Sequence, residues 1–279
     1  MMTTNSAQMD WLCELLARAG MQEIMPRFRR LAEGAIRLKT SAADLVTDAD
    51  EQAERMITSE LLARFPGALV VGEEACSTDP AKLDGLADAE LAFVIDPIDG
   101  TFNFASDVPL FGVMLAVVKN GETVAGIIHD PVGGDWMLAE RGAGARIRSV
   151  EGSERVIRVA DPVPVSQMTG AVSWQFMDEP ERSMVARNQA KCLSHVSYRC
   201  AAHEYRLVAS GHAHFAAYSK LMPWDHLAGA LIHEEAGGYV ARFDGSAYRP
   251  GHVDGGIMVA PDRESWQALH GALWTDVLS

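Results

Sequence analysis

The sequence is short of the features that mark several protein classes, and each shortage removes one of them. Cysteine is scarce, at 4 of 279 residues. Cys13, Cys76, Cys192 and Cys200 are widely separated and form no C-x-x-C pair, which excludes a zinc site and a disulfide framework and leaves free buried thiols in a reducing compartment. No stretch approaches the ~20 apolar residues of a membrane span. Residues 1–10 lack a basic region, and Glu14 and Arg18 interrupt the apolar positions that follow, so no secretory signal is read and a cytoplasmic location is expected. Basic residues are outnumbered, with 24 Lys and Arg against 38 Asp and Glu. The resulting net charge of −14 repels nucleic acid and anionic membranes, so neither is expected as a partner. It repels a phosphorylated substrate too. Phosphate chemistry in this chain therefore needs a local positive centre, which clustered carboxylates supply only by holding cations.

Other motifs are incomplete. Gly142-Ala143-Gly144 lacks the third glycine and the strand-to-helix setting of a dinucleotide loop, and is read as a tight turn between strands. None of the nine histidines forms H-E-x-x-H, and they are read as surface or core residues.

What is present is ordinary globular material, 48% hydrophobic and 22% charged, in a chain long enough to bury a large core. Trp11, Leu12, Leu15, Leu16 and Ala19 predict an amphipathic helix over 8–30, with a kink or boundary at Pro26. Thr47, three residues before Asp50, starts a second helix in the manner of a capping box; Ala53, Met56, Ile57, Leu61 and Leu62 form its apolar face. β-type runs follow at 68–72, 91–95, 111–119, 122–129 and 135–139, which predicts a largely antiparallel sheet. Beyond about 161, strand-like segments (170–174, 196–199, 215–218, 239–243, 257–260) alternate with helical ones (181–192, 202–210, 225–235, 264–278). An N-terminal half over 1–160 and a C-terminal α/β half over 161–279 are expected. No linker separates them, so they should form one unit.

The chemistry concentrates at three acidic strand or loop ends. Asp96-Pro97-Ile98-Asp99-Gly100-Thr101 follows the apolar run 91–95, Glu73-Glu74 follows Val70-Val71-Gly72, and Asp225 follows Pro223-Trp224 at a helix start. Alone, each reads as a turn or a helix cap. Together they repel one another unless a cation neutralises them, and carboxylate and carbonyl oxygens are the ligands that hard Mg²⁺ prefers. Gly100-Thr101 opens a helical turn whose free amides can receive phosphate oxygens.

On these segments the chain resembles the inositol monophosphatase family of magnesium-dependent phosphatases. The matching stretches are Asp44-Leu45-Val46-Thr47-Asp48-Ala49-Asp50, Gly72-Glu73-Glu74, Asp96 through Asn103-Phe104, Arg141-Gly142-Ala143-Gly144-Ala145, and Pro223-Trp224-Asp225 through Ala228-Gly229. The resemblance implies an α/β fold (layered α+β) of alternating helix and sheet layers, an αβαβα sandwich, and a homodimer. It implies a small phosphorylated metabolite as substrate and two or three Mg²⁺ ions. One is held by Glu73, Asp96 and the Ile98 carbonyl, and a second by Asp96, Asp99 and Asp225. It further implies that Thr101 and Asp50 lie beside an attacking water that Glu73 helps to orient, that the Gly100 and Thr101 amides bind phosphate, and that Lys39 sits at the outer edge of the metal site.

The substrate side departs from the family. Where members acting on inositol phosphate carry a Gly-Ser/Thr-Ala turn, this chain reads Arg199-Cys200-Ala201-Ala202; the acidic residue seven positions before the last aspartate is Tyr218. A phenol cannot accept from two vicinal hydroxyls as a carboxylate does, which weakens the expectation of a polyol. Arg199 either binds a second anionic group or pairs with an acid such as Glu204; the pairing is the simpler expectation. A sugar bisphosphate, a 3′-phosphonucleotide or histidinol phosphate remains open as substrate, and so does a binding protein that has lost turnover.

Overall fold

The computed structural model describes residues 6–31, 34–41 and 44–275, without the side chains at 6, 40, 41 and 44. Residues 276–278, the expected end of the last helix, lie outside the described residues. In chain order, α1 (Ser6–Ala19) precedes the antiparallel pair β1 (Ile36–Ser41) and β2 (Asp44–Thr47), then α2 (Asp48–Arg64), β3 (Leu69–Gly72), α3 (Glu73–Thr78), β4 (Ala92–Asp99) and α4 (Thr101–Ala105). Next come β5 (Gly112–Lys119), β6 (Glu122–Asp130), β7 (Asp135–Glu140), β8 (Ala145–Ser149) and β9 (Glu154–Val156). The second half holds β10 (Thr169–Val172), α5 (Glu181–Asn188), β11 (Ser194–Val196), α6 (Ala201–Ala209), β12 (Phe215–Tyr218), α7 (Pro223–Glu235), β13 (Tyr239–Arg242), β14 (Ile257–Ala260) and α8 (Arg263–Trp274).

Two sheets carry the architecture. The first runs β3-β4-β5-β6-β7-β8-β9, parallel between β3 and β4 and antiparallel elsewhere. The second runs β11-β10-β12-β14-β13, parallel among its first three strands. Both faces of the first sheet are covered at its centre, so β4 and β5 are apolar nearly throughout rather than alternating with polar residues. Phe93 and Ile95 of β4 and Leu115 and Val117 of β5 pack under Leu12, Leu16, Ile57 and Leu61 of α1 and α2. Val94, Met114 and Ala116, on the opposite face, join Tyr205 of α6, Leu227 of α7, and Ala216 and Val259 of the second sheet. The far face of that sheet, with Phe215 and Met258, is closed by Val185 of α5 and Leu269 and Leu273 of α8. The layers are therefore αβαβα, as expected. Each such buried apolar side chain contributes roughly 1.5–3 kcal/mol.

Several boundaries differ from expectation for local reasons. The helix expected over 8–30 ends at Ala19, and Gly20–Ile24 forms a wider turn in which the Met25 amide donates to the Gly20 carbonyl at 2.8 Å. Pro26 cannot continue a regular helix, and the widening accommodates it. The strand expected over 196–199 lies at Ser194–Val196, because pairing with β10 stops there and the Glu204 carboxylate takes the Tyr198 amide at 2.9 Å. The pair β1 and β2 and the strand β9 were not anticipated, and β8 follows the turn expected at 142–144. In β8, Arg146 and Arg148 face Glu154 of β9, so ion pairs rather than apolar residues mark these strands. The four cysteines are free and buried. No described helix is long and apolar enough to cross a membrane.

α7 runs through the middle layer, and its His233 Nε2–H donates to the Ala260 carbonyl at 2.9 Å; burial lowers its pKa from the usual 6.5 to about 4. The folded protein keeps this ring neutral while the unfolded chain protonates it below 6.5, so its stabilising contribution is full above pH 6.5 and is lost as pH falls to 4. The loss is on the order of 3 kcal/mol. Urea unfolding of wild type and His233→Gln at pH 7 and pH 4 should show wild type losing about that much more stability than the variant. Parallel pH dependence would contradict the assignment.

Candidate metal and active site

In a regular strand Asp96 and Asp99, three residues apart, would point to opposite faces. β4 avoids this with a bulge. Asp96 pairs with Met114 and Asp99 with Gly112, so three steps on β4 oppose two on β5, and Pro97, which has no amide hydrogen, sits in the irregular step. The Ile98 amide donates to Asp96 Oδ1 at 3.0 Å and holds that carboxylate in place. Gly100 then turns the chain with φ 92°, a left-handed conformation that favours glycine. A Cβ there would also meet the Leu110 carbonyl at 2.9 Å and Cys200 at 3.2 Å. The turn places Thr101 at the start of α4.

The other walls come from distant segments. Glu54 of α2 accepts the Glu74 and Ala75 amides at 2.7 and 2.8 Å, fixing the β3–α3 turn that presents Glu73. Gly72 makes room, since a Cβ there would lie 2.3 Å from the Glu54 carboxyl carbon. Lys39 of β1 donates to Glu73 at 2.8 Å and to Glu74 at 2.6 Å. Asp225 stands in the first turn of α7, behind Pro223. The Ala202 amide and the Cys200 thiol at the start of α6 both donate to Asp99 Oδ2, the thiol at 3.1 Å.

Carboxylate oxygens of Asp96, Asp99 and Asp225 all lie within 4.8 Å of one another. Burial, then the charges of Glu73, Asp99 and Asp225, push the Asp96 pKa well up. Asp225 is raised well above its usual value by burial, Glu73 and Asp99. Burial raises Asp99 to about 6, against the stabilising amide of Ala202 and the Cys200 thiol. Three carboxylates held this close are unfavourable as bare anions, and an all-oxygen donor set of this charge fits a hard divalent cation.

The comparisons agree with the geometry. The sequence profile of the inositol monophosphatase family matches residues 7–277. The chain belongs to the inositol monophosphatase family. A Thermotoga maritima relative named fructose-1,6-bisphosphatase/inositol-1-monophosphatase is 31% identical over 242 residues, covering 85% of this chain and 86% of the relative. A Xylella fastidiosa relative named Nus factor SuhB is 34% identical over 217 residues, covering 75% and 73%. Among solved structures, extragenic suppressor protein SuhB from Bartonella henselae superposes with a TM-score of 0.80 at 26% identity, over 98% of this chain and all of the other. A Thermotoga maritima IMPase gives 0.78 at 26% identity, over 95% and 98%.

Within this family member, one cleft of about 150 Å³ gathers most of the residues singled out in the sequence. Glu73, Asp96, Ile98, Asp99, Gly100, Thr101 and Asp225 line it, as do Arg199, Cys200, Ala201 and Tyr218. Asp50 lies behind Thr101. Its Oδ1 receives the Thr101 hydroxyl at 3.0 Å, while Oδ2 receives the Thr47 amide at 2.8 Å and the Thr47 hydroxyl, closing the capping box. Burial is the main cause that raises Asp50 to about 6. Glu73 lines the same cleft as the aspartate trio, and its Oε1 accepts from Lys39 at 2.8 Å.

Two arrangements shape the substrate side. Cys200 turns its thiol onto Asp99 and so supports a carboxylate. Glu204, the acid expected beside Arg199, receives the Tyr198 amide at 2.9 Å and the Arg199 amide, while the Arg199 guanidinium carbon lies 3.4 Å over the Phe102 ring. Glu54, Phe102 and Lys220 went unread. Only Glu54 left a signal: it sits one turn after Asp50, on the face that also carries Ala53 and Ile57.

Proposed function

We propose that this protein is a Mg²⁺-dependent phosphomonoesterase that hydrolyses a small phosphorylated metabolite by direct attack of water on phosphorus. The observation that carries this reading is the aspartate trio within 4.8 Å beside the Thr101–Asp50 pair. When bound by Asp96, Asp99, Asp225, Glu73 and the Ile98 carbonyl, Mg²⁺ would supply positive charge against the phosphoryl oxygens and acidify a water. The chain's own groups do the rest. Thr101 Oγ1 lies 3.0 Å from both Asp50 Oδ1 and the Ile98 carbonyl, and its single proton serves one of them. Given to Asp50, that proton leaves an oxygen lone pair to accept from the attacking water. Asp50, held near pH 6, can then take the proton as a general base. Glu73 orients the water from the opposite wall, and the Gly100 and Thr101 amides receive phosphoryl oxygens. No covalent phosphoenzyme is required.

Asp96, Asp99 and Asp225 also favour turnover over a binding or regulatory role, the second reading, which the relatives named Nus factor SuhB support. A binder has no use for a polarised water beside a buried base. The reading includes a cytoplasmic homodimer. Its test is phosphate release by the purified protein with Mg²⁺ across sugar bisphosphates, inositol phosphate, 3′-phosphonucleotides and histidinol phosphate. At least one should be turned over, and removal of Mg²⁺ by chelation should stop it. Calorimetric binding of these compounds without any release would favour the binding protein.

A further inference from the structure

We propose that Cys200 is a positioning residue for the cation: its thiol, with the start of α6, holds Asp99 by Oδ2 and leaves Oδ1 for Mg²⁺. This rests on the metal-dependent reading of the cleft and adds to it a residue that sets how tightly Asp99 binds.

Asp99 is held from α6. It pairs with Gly112 of β5, and the missing side chain there lets α6 press against the sheet: a Cβ on Gly112 would lie 2.8 Å from the Ala202 Cβ and 3.2 Å from the His129 carbonyl oxygen. His203 pins the same end of the helix, its Nε2–H donating to the Phe111 carbonyl at 3.2 Å. The helix start therefore reaches the carboxylate. The Ala202 amide donates to Asp99 Oδ2, with the Ala201 amide beside it. Amides in the first turn of a helix have no partner within it, and the cap position of α6 carries Cys200 rather than Ser, Thr, Asp or Asn. Asp99 supplies the missing cap from β4.

Cys200 completes the hold. Its side chain is buried, and Sγ lies 3.1 Å from Asp99 Oδ2 and 3.4 Å from the Asp99 carbonyl oxygen. Gly100 confines it from the other side, since a Cβ there would come within 3.2 Å of both Cys200 Cβ and Sγ. A carboxylate that ligates a metal through one oxygen keeps its orientation through hydrogen bonds to the other, and losing such a partner typically costs about 10- to 100-fold in affinity. The thiol brings a second property. It is a weak donor, so it fixes Asp99 while withdrawing little of the negative charge that a cation needs, whereas a hydroxyl would withdraw more.

The test is calorimetric titration of Mg²⁺ into metal-stripped wild type and three variants, which reads the site without any substrate. Cys200→Ala and Cys200→Ser both lose the volume of the sulfur, but only Cys200→Ser keeps a donor; Cys200→Val keeps the volume and has no donor. Cys200→Ala and Cys200→Val should weaken Mg²⁺ binding by about tenfold or more, and Cys200→Ser by no more than about threefold. Phosphate release by Cys200→Ala should climb toward that of wild type as Mg²⁺ is raised, because what it loses is cation affinity. Wild-type affinity in all three variants overturns the proposal. Equal weakening in all three does so too, since a donor alone would then not restore Asp99. So does a Cys200→Val that binds as wild type does while the other two are weakened, which would leave Cys200 as packing. Mg²⁺ binding by wild type without phosphate release from any ester overturns the phosphatase reading alone, and a wild type that binds no Mg²⁺ overturns both.

Discussion

Asp96→Asn should lower kcat/KM for phosphate release by roughly 10³-fold, beyond the ~10- to 100-fold typical of residues that only support a metal ligand. Asp96 is buried, is held by the Ile98 amide, and shares the crowded trio with Asp99 and Asp225. An amide keeps the shape but removes the charge on which both proposed metal positions depend. The same substitution should stabilise the metal-free protein. Burial and neighbouring charges push the Asp96 pKa well up, so its ionised form is disfavoured in the fold at neutral pH and the neutral amide escapes that penalty. Thermal unfolding should therefore show a higher Tm for Asp96→Asn than for wild type without Mg²⁺, and a smaller rise when Mg²⁺ is added. Saturating wild type at 100 times its Kd should add about 2.7 kcal/mol. A variant that is inactive merely because it misfolds would show a lowered Tm instead.

Thr101→Val should remove the proton relay and leave the cation site. Valine replaces the hydroxyl with a methyl group of similar size, so the effect should fall on kcat, by about 10²- to 10⁴-fold, while the Mg²⁺-induced rise in Tm persists. Asp50 is the acceptor in this relay. Because burial raises it to about 6, the rate should fall as pH drops through 6 and protonates it. A pH–rate profile and a Mg²⁺ titration on Thr101→Val separate the relay from metal binding. A variant with wild-type kcat would remove Thr101 from the mechanism.

The parts of this account that were legible in the sequence are those written in short range. The capping box of Thr47 and Asp50, the strand ends at Asp96 and Glu73, and the helix start at Asp225 all announce themselves within a few residues. The layered fold followed from the resemblance and from runs of apolar residues long enough to be buried on both faces. What stayed hidden depends on long-range contacts. Nothing in the sequence pairs Lys39 with Glu73, 34 positions away, or places the Cys200 thiol on Asp99, 101 positions away. The bulge at Pro97-Ile98 was equally unreadable, because it exists only against the register of β5. The turn before Ala201 was hidden for the same reason, since it depends on Glu204 receiving the Tyr198 and Arg199 amides.

The central claim is that this carboxylate cage turns over a phosphomonoester only when it holds a cation. Its most direct measurement is phosphate release by metal-stripped wild-type protein across a Mg²⁺ titration, using the best substrate from the panel. The account predicts no release without Mg²⁺ and a saturable rise as it is added, with Asp96→Asn flat throughout. Equal release by the stripped and the Mg²⁺-loaded enzyme would contradict it.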